Sequence, residues 1–401
     1  MLKNNKLINV DNILVILILI VLPIFNGKLS DTVIVLLAIG LIIVQIVYNG
    51  KLNIYKNKEE KKIVKSSILY LIALISIFIL KFREIGDAIR IIQFLICLIT
   101  LVYFKCLKNP HMQIKLLKLI ASLLIIVSFL LYVIQKGPKV FYGFYNHFNT
   151  LGTIIMLCMM LIAIPIDYKL KKKYIFLKLI IMILGFFVLI VSTNRSALLT
   201  VLIFYVILLA RKIFKNSKIF YRIVFICMTI FILWFIIIYP NLYGTSLGNQ
   251  LEQMSRIYFN KNFYSGRQII WKEIINAMEG KEILGYGLSM IPEKIYKTSF
   301  SSHNLYLQTY LQGGILNVAA LVIFIISIFS AFISEKNIKY KAFNIAFLLG
   351  LIFHECFEVT LLQNQMNIAI IYWMIIGLII NLGNKEIGVN ENKVWYYNTS
   401  I

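Results

Sequence analysis

An all-α, polytopic integral membrane fold of about twelve transmembrane helices is the class this sequence predicts, and three observations carry it. Sixty per cent of the 401 residues are hydrophobic and only 14% are charged. With a mean hydropathy of +0.84, that balance does not suit a soluble domain of this length. Apolar runs approaching the roughly 17–25 residues needed to cross a bilayer core recur along the chain. The lysines and arginines between those runs fall mainly on alternate loops.

In chain order the runs lie near 8–25, 32–48, 67–80, 89–104, 119–134, 150–166, 175–191, 196–210, 223–239, 305–333, 342–358 and 365–381. They show no period-two alternation of barrel strands, and lipid cannot satisfy free backbone groups, so helices are expected. The first run follows a basic start, "MLKNNK", with no small-residue cleavage site after it, and is expected to stay as an anchor. The apolar stretch 175–210 is 36 residues, too long for one span, and predicts two helices joined by a tight hairpin at "STNRS". One connection, 240–302, is far longer than the rest, and loops of that length tend to be functional.

Within that loop "SGRQIIWKEIINAMEG" (265–280) reads as an amphipathic helix capped by Ser265 and stopped by Gly280. Ile270, Trp271, Ile274, Ile275 and Met278 form its apolar face, with Gln268, Lys272 and Asn276 opposite. Its expected place is the membrane interface, and "LGYGLSMIP" (284–292) supplies a glycine turn back toward the bilayer. The division that follows is 1–239 for nine spans, 240–302 for the loop, 303–381 for three spans and 382–401 for a tail.

Orientation follows from the basic residues. With the N-terminus inside, inner segments carry 27 lysines and arginines against 7 on the short outer loops. That places both termini in the cytoplasm and 240–302 outside. A net charge of +24 does not imply nucleic acid here, because the lysines sit in short clusters such as "KNKEEKKIVK" and "KLKKK" beside spans. Topology and anionic headgroups account for those clusters. The five cysteines lie in spans or beside inner loops, so no disulfide framework is expected. Walker, GxGxxG and CxxC motifs are absent, and no cofactor is expected.

The polar residues spent near the outer face are the candidates for function. Arg195 sits in a six-residue polar break between two apolar runs, where a charge costs about 2.5–3.5 kcal/mol on insertion scales. Arg267 opens the loop helix. His303 stands at the seam of loop and span in "SSHNLYLQTYLQGGI" (301–315), beside Asn304. His147 and Asn149 lie in "FYGFYNHFNTLG" (141–152), and His354, Glu355 and Glu358 lie in "FHECFE" (353–358). The spacing puts His354 and Glu358 on one helix face. The second histidine of a zincin motif is missing, so no metal is expected. Two arginines at one membrane face suit a phosphate or diphosphate, which guanidinium groups bind bidentately. A histidine beside them can move a proton near neutral pH.

With those residues in place, the sequence resembles the bacterial O-antigen and capsular polysaccharide polymerases and the O-antigen ligases, one superfamily of polytopic glycosyltransferases. The matching stretches are "NHFNTLG", "STNRSALL", "SGRQIIW", "GYGLS", "SSHNLYLQTYLQGGI" and "FHECFE", in the family's order, over roughly 140–381. The resemblance implies an inverting, metal-independent glycosyl transfer at the outer leaflet of the bacterial cytoplasmic membrane. Its donor is a glycan on undecaprenyl diphosphate. By the same resemblance Arg195 and Arg267 bind the diphosphate and His303 activates the acceptor hydroxyl. His147, Asn149, Asn304, His354, Glu355 and Glu358 remain candidates for substrate contact or acid–base work. A chain-length regulator and a repeat-unit flippase are the further partners it implies.

A polymerase is the preferred reading, because a Lys-, Ile- and Asn-rich composition suggests an AT-rich genome and a capsule-forming bacterium. A ligase transferring the glycan to another acceptor is the alternative. A flippase or transporter is the rival of a different class; against it stand the long outer loop and the lack of paired, glycine- or proline-broken helices.

Overall fold

The computed structural model describes residues 11–24, 33–41, 55, 57–138, 140–165, 172–214, 217–259, 262–296 and 301–397. The side chains from 384 onward are not among those described. All regular structure among the described residues is helical. The basic start at 1–7, the second half of the 32–48 run and most of the "KLKKK" cluster lie outside the described residues.

The helices are α1 (Asp11–Ile20), widening to π geometry at Leu17–Val21, α2 (33–41), α3 (Lys58–Lys81), α4 (Ile85–Lys105) and α5 (Pro110–Ile134). They continue with α6 (Phe148–Ala163), α7 (Lys172–Val191), α8 (Arg195–Phe214) and α9 (Lys218–Leu242). The 240–302 loop then carries α10 (Ser246–Phe259), α11 (Arg267–Ala277) and α12 (Pro292–Tyr296). The last three are α13 (Leu305–Ser334), α14 (Ile338–His354) and α15 (Met366–Tyr397).

Each of the twelve predicted runs contains helix among its described residues, although the run 342–358 leaves its helix after His354. Among the described residues eight helices are long and apolar enough to cross a membrane, by length and composition: α3, α4, α5, α7, α8, α9, α13 and α15. The bundle is inverted relative to a soluble protein. Its interior helices α6 and α14 are buried nearly end to end, as is Met366–Gly383 of α15. The outward faces of α3, α7 and α9 expose Ile79, Leu80, Ile183, Ile230, Leu233 and Trp234. Such surface is stable only against lipid. α3 packs along α13, α4 along α15 and α8 along α14, while α5 covers α6 and α7.

Local chemistry sets the ends. Asn57 caps α3 by accepting from the Glu60 amide at 2.8 Å, and Glu59 and Glu60 in the first turn complement the helix dipole. Pro110 at the first turn of α5 occupies the position where its missing N–H costs nothing. The predicted hairpin after Val191 is present: Thr193 takes a left-handed conformation, and Asn194 caps α8 by accepting from the Ala197 amide at 3.0 Å. All five cysteines are free thiols.

Four expectations need correction. The loop holds three helices rather than one. α10, on which the sequence reading made no assignment, is capped by Thr245, which accepts from the Gly248 amide at 3.1 Å. The N-cap of α11 is Gly266, with φ 88°, and Ser265 instead bonds Tyr239. Gln268, expected on the polar face, is buried, as is Trp271, because α11 packs against α9 and α13.

The fourth correction concerns α13, which is broken within the bundle at Gly313 (φ −138°, ψ 19°) and Gly314 (φ 61°, ψ −160°). The break lies about 13 Å along the helix from its start. Residues 282–287 of the 240–302 loop are spliced into it. Tyr286 and Gly287 amides donate to the Leu311 and Gln312 carbonyls at 3.0 and 2.9 Å. The Ile315 and Leu316 amides donate to the Glu282 and Ile283 carbonyls at 2.7 and 3.4 Å. Discontinuous transporter helices use such freed groups to hold substrate or ions. Here the loop consumes all four.

Candidate functional site

The site forms at one end of the bundle, where the "STNRS" hairpin, the starts of α6, α11 and α13, and the turn after α14 meet. α14 ends at His354, and the Phe357 and Glu358 amides both turn back onto its carbonyl at 2.9 and 3.1 Å. Glu358 therefore lies past the end of α14, joined to His354 by a single closing turn where the expectation had one continuous helix face. The reason is local competition. Glu355 captures the Thr360 and Leu361 amides at 2.9 and 3.1 Å and the Thr360 hydroxyl at 2.5 Å, which fixes a loop where the helix would have continued.

Glu358 is the centre. Its Oε1 faces Arg267 Nη2 at 3.4 Å and accepts from Asn149 Nδ2 at 3.2 Å. Its Oε2 faces His303 Nδ1 at 3.3 Å. Burial by itself would raise the pKa of this carboxyl. The His303 hydrogen bond and the charges of His303, Arg267 and His354 outweigh it and hold Glu358 below the usual carboxylate range. The carboxylate is 7% exposed, whereas the His303 ring is 30% and the Arg267 side chain 21% exposed. The histidine and arginine thus face outward from a carboxylate set behind them.

His303 is held in a left-handed conformation at φ 45°, which costs a non-glycine residue about 1–3 kcal/mol. Its neighbours make that posture stable. Trp271, fully buried in α11, donates to the Ser302 carbonyl at 2.8 Å. Asn304 caps α13 through the Leu307 amide at 2.9 Å and donates to the Cys356 carbonyl at 3.0 Å. Arg267 also lies over the Phe357 ring at 5.9 Å. α11, the α13 cap and the turn after α14 are thereby tied into one unit.

Arg195 stands apart from the carboxylate. Its Nη1 donates to the Asn262 carbonyl at 2.8 Å on the exposed surface, and it shares electrostatic reach of Tyr239 with Arg267. His147 is exposed and accepts the Asn149 amide at 3.1 Å as the cap of α6, stacked on Phe148. His354 and Glu355 are fully buried; the His354 nitrogens meet Thr153 and Tyr372 at 3.5 and 3.4 Å. Of the nine candidates, then, His303, Arg267, Asn149 and Glu358 converge and Arg195 lies at the rim. His147, Asn304, His354 and Glu355 are engaged in caps and buried bonds.

Some structural residues of the site were not read from the sequence. Asn194 donates to the Asn149 carbonyl at 3.0 Å, fastening the hairpin to α6. Glu252 of α10 accepts the Phe263 and Tyr264 amides at 2.7 and 3.0 Å, which sets the approach to α11. Asp87 accepts the Ser289 amide at 2.6 Å and anchors the returning loop to α4. An asparagine two residues before a helix interior is a readable cap signal; the other two act through partners distant in sequence.

No group of three or more metal-ligating side chains occurs among the described residues. No curated protein matches the chain. Residues 180–322, which include Arg195, Arg267, His303 and Asn304, match a family model described as O-antigen ligase. Over that segment, the chain is similar to the O-antigen ligase and polymerase superfamily.

Proposed function

We propose that this protein is a polysaccharide polymerase that joins undecaprenyl-diphosphate-linked repeat units at the outer face of the bacterial cytoplasmic membrane. The observation that carries the reading is the convergence of Arg267 and His303 on Glu358, with both of their side chains facing outward. A permanent cation with bidentate donors and a proton acceptor therefore stand side by side. That pair fits a donor with a diphosphate leaving group and an acceptor with a hydroxyl nucleophile.

In the transfer, the acceptor oxygen bonds to the donor's anomeric carbon while its proton passes to His303 Nε2. The bond from that carbon to the diphosphate oxygen breaks, and its electron pair leaves with the lipid diphosphate. Arg267 and, from the rim, Arg195 meet the charge that grows there, a stabilisation greater in the transition state than in the ground state. The diphosphate ester is already activated, so the reaction needs no nucleotide.

A second reading is favoured by one observation: the matching family model is described as a ligase. Purified protein given a lipid-diphosphate glycan separates the two. Lengthened lipid-linked glycan means polymerase, transfer to a second lipid acceptor means ligase, and translocation without a new bond overturns both.

The diphosphate role predicts that Arg267→Lys and Arg195→Lys each lose most product at normal membrane abundance, because lysine keeps the charge but loses the fork. Arg267→Lys is expected to be the more severe, since its guanidinium adjoins His303 through Glu358. Wild-type product from both variants would reduce the arginines to surface charges. The outer-face assignment has its own test. Reporter fusions near residue 275 should read as extracytoplasmic and fusions within 211–222 as cytoplasmic, and the reverse pattern would move the site to the wrong side for the substrate.

A further inference from the structure

We propose that Glu358 is a positioning residue that couples donor binding to acceptor activation, through a carboxylate divided between Arg267 with Asn149 on one oxygen and His303 on the other. The inference rests on the function proposed above and concerns a residue outside the matched segment 180–322.

Glu358 is poorly placed to act on substrate itself. Its side chain is 7% exposed and both oxygens already face protein donors. A sugar hydroxyl would have to displace a guanidinium, an amide or an imidazole to reach it. The carboxylate instead dictates the state of its neighbours. Opposite Nδ1 of His303, a carboxylate draws the ring proton to that nitrogen, which leaves the Nε2 lone pair turned outward. A carboxylate behind a histidine base is worth up to about 10⁴-fold in kcat where it has been removed.

The other oxygen supplies the coupling. Arg267 reaches it at 3.4 Å, well beyond the roughly 2.7–2.9 Å of a tight charge-assisted bond. One guanidinium nitrogen makes that contact, leaving further N–H donors for a ligand. When a diphosphate engages Arg267, less of the Glu358 charge is offset by the guanidinium and more falls on His303. The ring then holds the incoming proton more strongly, at the moment the leaving group is in place. Asn149 keeps the carboxylate oriented while the arginine is drawn toward the donor. An acceptor arriving at an empty donor site meets a weaker base.

The test is kinetic, on the full-length protein in proteoliposomes with an undecaprenyl-diphosphate glycan. Glu358→Gln keeps the shape of the side chain and removes its charge. It should lower kcat by about 10²-fold or more while the donor KM changes by less than about 3-fold. In a His303→Gln background the same substitution should cost little further, since the two residues act as one unit. Glu358→Asp, which keeps the charge but withdraws it by one methylene, should show the same kcat-selective loss and serves if Glu358→Gln does not accumulate. Near-normal kcat in both variants overturns the coupling while leaving the proposed function standing, provided His303→Gln is inactive. Losses that multiply in the double variant, or that track a fall in thermal stability, mean Glu358 is only structural. If His303→Gln keeps full turnover, it is the base assignment itself that has failed.

Discussion

His303→Gln is expected to leave a folded protein that still binds its lipid-linked donor but turns over about 10²–10⁴-fold more slowly. In free-energy terms that is about 3–5 kcal/mol of transition-state stabilisation. Glutamine can retain a hydrogen bond toward Glu358, yet it cannot accept a proton near neutral pH. The alanine variant should therefore be no worse than the glutamine variant. Structure gives the comparison its force, because His303 is partly exposed and its segment is held by its neighbours. Its ring is 30% exposed, and the fold around it is secured by Ser302, Asn304 and Trp271. Assay of both variants with a defined glycan on undecaprenyl diphosphate, beside a melting curve for each, decides the matter. Turnover within a few-fold of wild type for the glutamine variant would mean that the residue only orients the acceptor.

The largest structural effect should come from Gly314→Ala. Glycine at φ 61°, ψ −160° occupies a region that side chains essentially do not enter. A Cβ there would sit 2.3 Å from the Ile283 carbonyl carbon and oxygen, which are backbone atoms and cannot swing aside. The opposite strand of the splice is as tight, for a Cβ on Gly285 would lie 2.7 Å from the Gln312 carbonyl. Strain and the loss of spliced backbone bonds together are expected to cost on the order of 4 kcal/mol. The variant should melt earlier in detergent and lose activity with its fold. Gly280→Ala is the matched control: φ is 71°, but nothing lies within 4 Å of the added carbon, so only conformational strain is incurred. Equal stability of the two variants would show that the splice contributes little.

What could be read from the sequence follows from which forces are local. Span positions were legible because a run of apolar residues has few alternatives in lipid. Arg195, Arg267 and His303 stood out because charge and imidazole are scarce in such a chain. The hairpin before Arg195 was legible from the length of its apolar stretch. By contrast, the end of α14 depends on where the Glu355 carboxylate finds its donors, and no glycine or proline near residue 355 announces it. The i, i+4 spacing of His354 and Glu358 consequently suggested a shared face, although the chain turns between them. α10 carried a signal in Thr245 and in apolar residues at Leu247, Leu251 and Met254, but its mostly polar composition leaves that signal weak. The break in α13 had its signal in the glycine pair of "YLQGGIL", outweighed by the length of the run 305–333 around it.

That splice has a consequence for biogenesis. Residues 282–287 are synthesised before α13, so the groups they bind become available only once α13 has followed them. A helix inserted with an open gap would leave the Leu311 and Gln312 carbonyls and the Ile315 and Leu316 amides facing hydrocarbon, at about 2–7 kcal/mol for each unsatisfied group. α13 must therefore enter the membrane as an unbroken helix, which its glycine pair permits, and open only when the loop returns to fill it. Seating of residues 282–287 is in this sense the step that completes α13, and a nascent chain arrested before α13 has emerged carries the loop without its seat.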